Sequence, residues 1–226
     1  MVFYGHPTKN RGDVVARETF AASLQQMLRE ILEILATAAS RDAIPPARLA
    51  LVRQHLQRID QPEYTAVIQR RPVQSLPVCR YLQGLLDVAE PRLGGALGQL
   101  LLGLCWVQNP NYTAGQMPRG FLENYGYSEL IGGRGLVQDE AFALGLLLLG
   151  PHTLYPPHHH PADEIYYTVA GQATWWQRDG PWIARYDGSL VDHPSGVVHA
   201  MRTADTPVLL LYCWWGEVGV AARLID

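Results

Sequence analysis

The sequence predicts a mainly β fold: a small β-barrel preceded by about four helices. Two patterns carry that expectation. Through the first hundred residues apolar side chains recur at helical spacing, whereas from Ala141 onward they fall in short runs punctuated by Gly and Pro. At 226 residues, 48% hydrophobic and 17% charged, the chain has the composition of a globular protein, either one large domain or a compact domain with a helical extension. The division expected is a helical region over 1–128, packing on the barrel or forming a dimer interface, and the barrel over 129–226.

The first helix is expected over residues 13–39, where Phe20, Leu24, Met27, Leu28, Ile31, Leu32 and Leu35 form one stripe and Gln25, Arg29 and Glu33 fill the gaps. Ser40–Ile44 reads as a turn. Pro45-Pro46 opens a second helix through Leu49, Val52, Leu56 and Ile59, since proline is tolerated in a first turn. A third is expected over Ser75–Glu90 and a fourth over Arg92–Trp106, the latter weakened by Gly94, Gly95 and Gly98. Residues 107–135, with Asn109-Pro-Asn, Pro118-Arg-Gly and Gly132-Gly-Arg-Gly, read as a loop-rich crossing whose aromatics can reach a site. Strands are then expected at Ala141–Leu149, Ile165–Ala170, Gln172–Arg178, Trp182–Tyr186, Ser189–Asp192, Val197–Thr203 and Val208–Trp215.

Several function classes are disfavoured. A net charge of −3 provides no electrostatic footprint for nucleic acid or an acidic membrane surface. The longest apolar run, Ala143–Leu149, is too short to span a bilayer. No secretory pattern is seen at the N-terminus, and three scattered cysteines make no disulfide framework, so a cytoplasmic protein is expected.

The chemistry concentrates in residues 150–171. Six of eight histidines lie between His152 and His199, among them His158, His159 and His160, followed by Glu164 and Tyr166. Neutral imidazole nitrogen together with carboxylate oxygen suits a divalent transition metal: zinc, iron, manganese, cobalt or nickel. On a strand His158 and His160 face one way and His159 the other, and Glu164 and Tyr166 likewise share a face.

These residues also carry a resemblance. His158-His-His160, three residues, Glu164, six residues and Gly171 are similar to the first motif of the cupin superfamily. Gly188, five residues, Pro194-Ser-Gly196, two residues and His199 are similar to the second. Two departures stand out: seven residues rather than five separate Gly150 from His158, and Thr203 replaces the usual Asn. The resemblance implies a jelly-roll barrel and a metal held by His158, His160, Glu164 and His199. More narrowly, Pro-His-His-His-Pro-Ala-Asp-Glu-Ile-Tyr with Tyr155, and Glu123-Asn-Tyr-Gly-Tyr-Ser-Glu upstream, resembles the cupin-type dimethylsulfoniopropionate lyases, most strongly over residues 120–216.

That resemblance implies β-elimination of dimethylsulfoniopropionate to dimethyl sulfide and acrylate, with the substrate carboxylate on the metal and a tyrosine as general base. Tyr166 is the first candidate because it shares the inward face with Glu164. Tyr155 is either the base or a closing wall. Aromatic faces suit the sulfonium end, and Trp214 and Tyr127 are the expected substrate contacts. Consecutive pairs such as Trp175-Trp176 and Trp214-Trp215 can turn only one ring inward. Rival readings are a metal-dependent cupin dioxygenase or isomerase, and a non-catalytic small-molecule-binding cupin. The apolar helical extension is compatible with a homodimer.

Overall fold

A computed structural model describes residues 11–38, 44–61, 64 and 72–225. The expected turn at Ser40–Ile44 falls, apart from Ile44, outside them. Helices α1 (Arg11–Ala38), α2 (Pro46–Ile59), α3 (Leu82–Val88) and α4 (Pro91–Leu100) precede the strands. In α1 the residues Leu24, Met27, Leu28, Ile31 and Leu35 are buried, and in α2 Leu49, Val52, Leu56 and Ile59 are, as the three-and-four spacing requires. Pro46 stands in the first turn of α2.

The third and fourth expected helices are shorter than anticipated. A 3-10 turn over Pro77–Tyr81 leads into α3, and another over Leu101–Gly103 ends α4. Beyond it the backbone extends, because Trp106 N–H donates to the Gln74 carbonyl and Val107 exchanges bonds with Tyr127. The Glu90 carboxylate caps α4 by accepting from Leu93 N–H at 2.8 Å.

Ten strands follow: β1 (Tyr125–Ile131), β2 (Phe142–Leu149), β3 (Leu154–His159), β4 (Asp163–Gly171), β5 (Ala173–Gln177), β6 (Ile183–Arg185), β7 (Leu190–His193), β8 (His199–Arg202), β9 (Val208–Trp215) and β10 (Arg223–Leu224). They form two five-stranded sheets, ordered β1-β2-β9-β4-β7 and β10-β3-β8-β5-β6. The barrel is thus a jelly roll of two facing sheets. One expectation is corrected here: β1 lies inside the stretch read as loop. Turn residues bracket it, and what makes it a strand is antiparallel pairing with β2, from Tyr125 opposite Leu149 to Glu129 opposite Gly145.

The first sheet is buried on both faces. Leu144, Leu146, Leu148, Leu209, Leu211 and Cys213 turn toward the helices and join their side chains in one cluster. Ala143, Leu147, Tyr166, Leu210 and Tyr212 turn toward the second sheet and join Tyr125, Tyr155 and Trp175 in another. That double burial is why β2 reads as a continuous apolar run. Its one gap is functional packing. A Cβ on Gly145 would lie 2.5 Å from the Tyr212 hydroxyl and 2.4 Å from the Ser128 carbonyl, so only glycine fits beneath that ring.

Candidate active site

The inner face of the first sheet sets two rows of side chains. Antiparallel pairing places Glu164 between His193 on β7 and Trp214 on β9, with Ala143 on β2 beyond. The next row holds Val191, Tyr166, Tyr212 and Gly145. From the second sheet, β3 and β8 bring His158 opposite His199.

The pleat explains His158 and His160 inward with His159 exposed. It does not explain Tyr155. At three residues from His158, strict alternation would send its ring to the opposite face. A bulge between Tyr155 and His158, spanning Pro156-Pro157, inserts one extra residue against β8. Both side chains therefore point inward, and the Tyr155 ring stacks on His158 with centroids 4.0 Å apart and planes 10° apart.

Three donors converge. Nitrogen or oxygen atoms of His160, Glu164 and His199 lie within 4.8 Å of one another, and all three residues are buried. Glu164 Oε2 stands 3.1 Å from His160 Nε2 and 3.5 Å from His199 Nε2. Its other oxygen accepts from Trp214 Nε1–H at 2.5 Å. His158 stands outside this group, with its ring 4.2 Å from that of His199.

The tautomers favour ligation. The Nδ1–H groups of His158, His160 and His199 donate to the carbonyls of Pro156, Ala162 and Val197, at 2.8, 2.9 and 2.9 Å. With Nδ1 so protonated, Nε2 is the nitrogen left to ligate, as in a metal-binding imidazole, although at His160 that atom is within hydrogen-bond distance of Glu164 Oε2 and would give up its proton on ligation. His199 Nε2 is buried without a hydrogen-bond partner, which is costly unless something occupies the position it faces. The donor set thus fits a divalent transition metal. His193 differs: Gln177 Nε2–H donates to its Nδ1, so its Nε2 carries the proton and is the wrong tautomer to ligate.

Electrostatics agree with a site prepared for positive charge. Burial lowers His158 to about 3 and carries His199 and His193 well below the ordinary imidazole value, with neighbouring imidazoles adding to the effect. Burial alone would raise Glu164, but His160, His199 and the Trp214 N–H hold it below the usual carboxylate range. Burial opposes a charged His160, yet the Glu164 carboxylate raises it. The Tyr166 phenol is pushed well above its ordinary value, by burial first and by Glu164 second.

A cavity of about 300 Å³ opens beside these groups. Glu164, Tyr166, Tyr155, Trp214 and Tyr127 all line it, together with Tyr125 and Tyr212. The Trp214 indole lies 4.2 Å from the His160 ring, and Trp215 turns instead toward the helices. Tyr127 accepts from Arg134 Nη1 at 3.2 Å near the rim. Tyr155 shares a hydrogen bond of 2.8 Å with the Tyr112 hydroxyl. Tyr125 lies in the crossing whose aromatics are expected to reach a site, and it does line the cavity; Tyr212, and the role of Tyr112 as partner of Tyr155, are not visible in the sequence. For Tyr125 the alternation with Tyr127 and Glu129 was the available signal, masked by the turn residues on either side.

A family model described as dimethylsulfoniopropionate lyase matches residues 50–210. The chain belongs to that family. A protein of Cereibacter sphaeroides named as a dimethylsulfoniopropionate lyase, DddL, is 31% identical over 177 residues, covering 74% of this chain and 73% of that protein. The dimethylsulfoniopropionate lyase DddQ of Ruegeria pomeroyi is 33% identical over 113 residues, which is 50% of this chain and 56% of DddQ. Two solved structures share the fold. Crystal structures described as DMSP lyases RdDddP and RnDddQII include a chain that superposes with a TM-score of 0.69 at 24% identity, covering 92% of this chain and all of that one. The DddQ crystal structure from Ruegeria pomeroyi gives 0.67 at 24% identity over 90% and 96% of the two chains.

Proposed function

We propose that this chain is a carbon–sulfur lyase that cleaves dimethylsulfoniopropionate to dimethyl sulfide and acrylate by β-elimination. The observation that carries the reading is a cavity lined by Glu164, the Tyr166 and Tyr155 phenols and an aromatic wall, with the buried His160 and His199 converging on that same Glu164. His160, Glu164 and His199 would hold a single divalent metal, with His158 as the fourth candidate. When bound, such an ion supplies Lewis acidity toward the substrate carboxylate and positive charge that eases deprotonation of a nearby phenol.

The remaining work belongs to the chain. Trp214 N–H orients Glu164, and the three backbone carbonyls orient the imidazoles. Tyr166, two residues beyond Glu164 on the same face of β4, would act as the phenolate: its own proton having passed to solvent, Oη takes the proton from the carbon next to the substrate carboxylate. The C–H electron pair becomes the double bond of acrylate, and the C–S pair leaves with sulfur as neutral dimethyl sulfide. Tyr155, engaged with Tyr112 and stacked on His158, fits the role of cavity wall better than that of base. A sulfonium has no proton to donate, so recognition falls to aromatic faces, which Trp214, Tyr127, Tyr125 and Tyr212 provide.

The decisive experiment incubates purified protein, loaded in turn with zinc, iron, manganese, cobalt and nickel, with dimethylsulfoniopropionate and measures headspace dimethyl sulfide. Release is expected with at least one metal and its absence with all five defeats the proposal.

A further inference from the structure

Arg48, in the first turn of α2, crosses from the helical layer to the strands that carry the donor group. Its Nε donates to Asp192 Oδ1 at 2.6 Å, its Nη1 to Asp163 Oδ1 at 2.5 Å, and its Nη2 to the His193 carbonyl at 3.3 Å. The guanidinium lies over the Trp215 ring, 4.8 Å from its centroid. Asp163 directly precedes Glu164 on β4. Asp192 and His193 end β7, where they pair with Ile165 and Glu164.

The same Asp163 Oδ1 accepts from Ser195 N–H at 3.0 Å, and Ser195 Oγ donates to the Pro161 carbonyl at 2.6 Å. Gly196 N–H donates to the His160 carbonyl at 2.9 Å. The turn after β7, which leads to His199, is thereby tied to the segment carrying His160 and Glu164. Arg48 is the cation at the centre of that tie. Among the described residues Arg48 is the cation that pairs with both part-buried carboxylates, which would otherwise repel each other across β4 and β7.

We propose that Arg48 is a positioning residue for the donor group: a guanidinium of the helical layer that holds β4, β7 and the Pro194–Gly196 turn where His160, Glu164 and His199 converge. This rests on the metal-centre reading above. It also gives α2 a part in the site beyond core packing. Lysine cannot replace it, because three acceptors in different directions require the planar fork. Arg58, on the same helix, is the internal contrast. Its Nη2 pairs with Asp139 Oδ2 at 2.7 Å, tying α2 to the β1–β2 connection and to no donor residue.

The test measures zinc and cobalt affinity by chelator competition, the visible spectrum of the cobalt form, and thermal unfolding of metal-free protein. It compares the native chain with Arg48→Met, Arg48→Lys and Arg58→Met. Arg48→Met is expected to weaken metal binding about 10–100-fold and to change the cobalt spectrum, as loss of a group supporting the ligands does. Arg48→Lys should also bind more weakly, whereas Arg58→Met should lower the unfolding temperature with metal affinity unchanged. Native affinity in Arg48→Met overturns the positioning role even if its stability falls. Should that variant fail to fold, native affinity in Arg48→Lys overturns it instead. A native chain that binds neither metal removes the metal centre itself, a different result from either.

Discussion

The two faces of the first sheet are built from the same strands and do opposite things. Toward the helices, β2 and β9 present Leu144, Leu146, Leu148, Leu209 and Leu211, side chains with no polar atom to satisfy. Toward the second sheet, β4 and β9 present Glu164, Tyr166, Tyr212 and Trp214. The outer face stabilises by area removed from water and by close packing. The inner face gives some of that up. His193 Nε2 on β7, and His199 Nε2 and Trp175 Nε1 on the second sheet that faces it, are buried without hydrogen-bond partners, each a cost that a leucine side chain does not incur. Residues at i and i+1 of one strand thus serve stability and chemistry separately, so substitutions on the two faces should be separable in their effects.

The sharpest separation is expected at Tyr166. Tyr166→Phe removes one oxygen from the inner face, and turnover measured as dimethyl sulfide release should fall about 100-fold or more, the range for losing a general base. Metal content by elemental analysis should stay at the native level. Retained turnover would move the base to another residue, Tyr155 first. On the outer face, Leu211→Ala leaves a cavity opposite Leu146 and should cost about 2–5 kcal/mol of stability in denaturant unfolding. The folded fraction should keep native kcat/KM, and a matching drop in kcat/KM would break the separation of the faces.

Within the inner face, the wall can be distinguished from the donor group. Trp214→Phe keeps an aromatic surface but leaves Glu164 Oε1 without its donor, so both metal affinity and KM should worsen, affinity by about tenfold. Tyr127→Ala should raise KM alone. Weaker metal binding in Tyr127→Ala would place that ring in the metal's support.

The smallest effect is a pH dependence of the metal-free protein. His158, His193 and His199 have folded values below the ordinary imidazole value of about 6.5, burial being the main cause. Stability from such groups is full above the unfolded value and lost as pH falls below it. Glu164, held low by His160, His199 and Trp214 against its burial, adds the same sign further down. His160 is raised, so its contribution is present at low pH and lost as pH rises through its folded value. Three imidazoles outweigh one. The unfolding temperature should therefore fall from about pH 7.5 to about pH 5.5, and a rise would show that His160 dominates.

Legibility in the sequence varied with how local the cause was. The stripe of α1 and the edges of β9 depend on periodicity within one segment and were readable. The inward pair His158 and His160 follows from the pleat alone. Tyr155 was suggested by a family pattern, but its inward direction depends on a bulge that exists only against β8. β1 has the sequence of a loop, because its strand character comes from pairing with β2. Trp214 was expected as a substrate wall, and its bond to Glu164 appears only when β4 and β9 lie side by side.

By itself, then, the sequence determined the class of fold, the succession of a helical part and a strand-rich part, and the residue types that could hold a metal with phenols beside them. Periodicity, turn chemistry and motif spacing are properties of one segment at a time. The tertiary structure decided which donors meet: His160, Glu164 and His199 form the close group, His158 stacks on Tyr155, and His193 is held in the other tautomer by Gln177. It also decided that a helix residue, Arg48, reaches the strands of the site. Those outcomes depend on register between strands and on packing between layers, distances set by residues far apart in the chain.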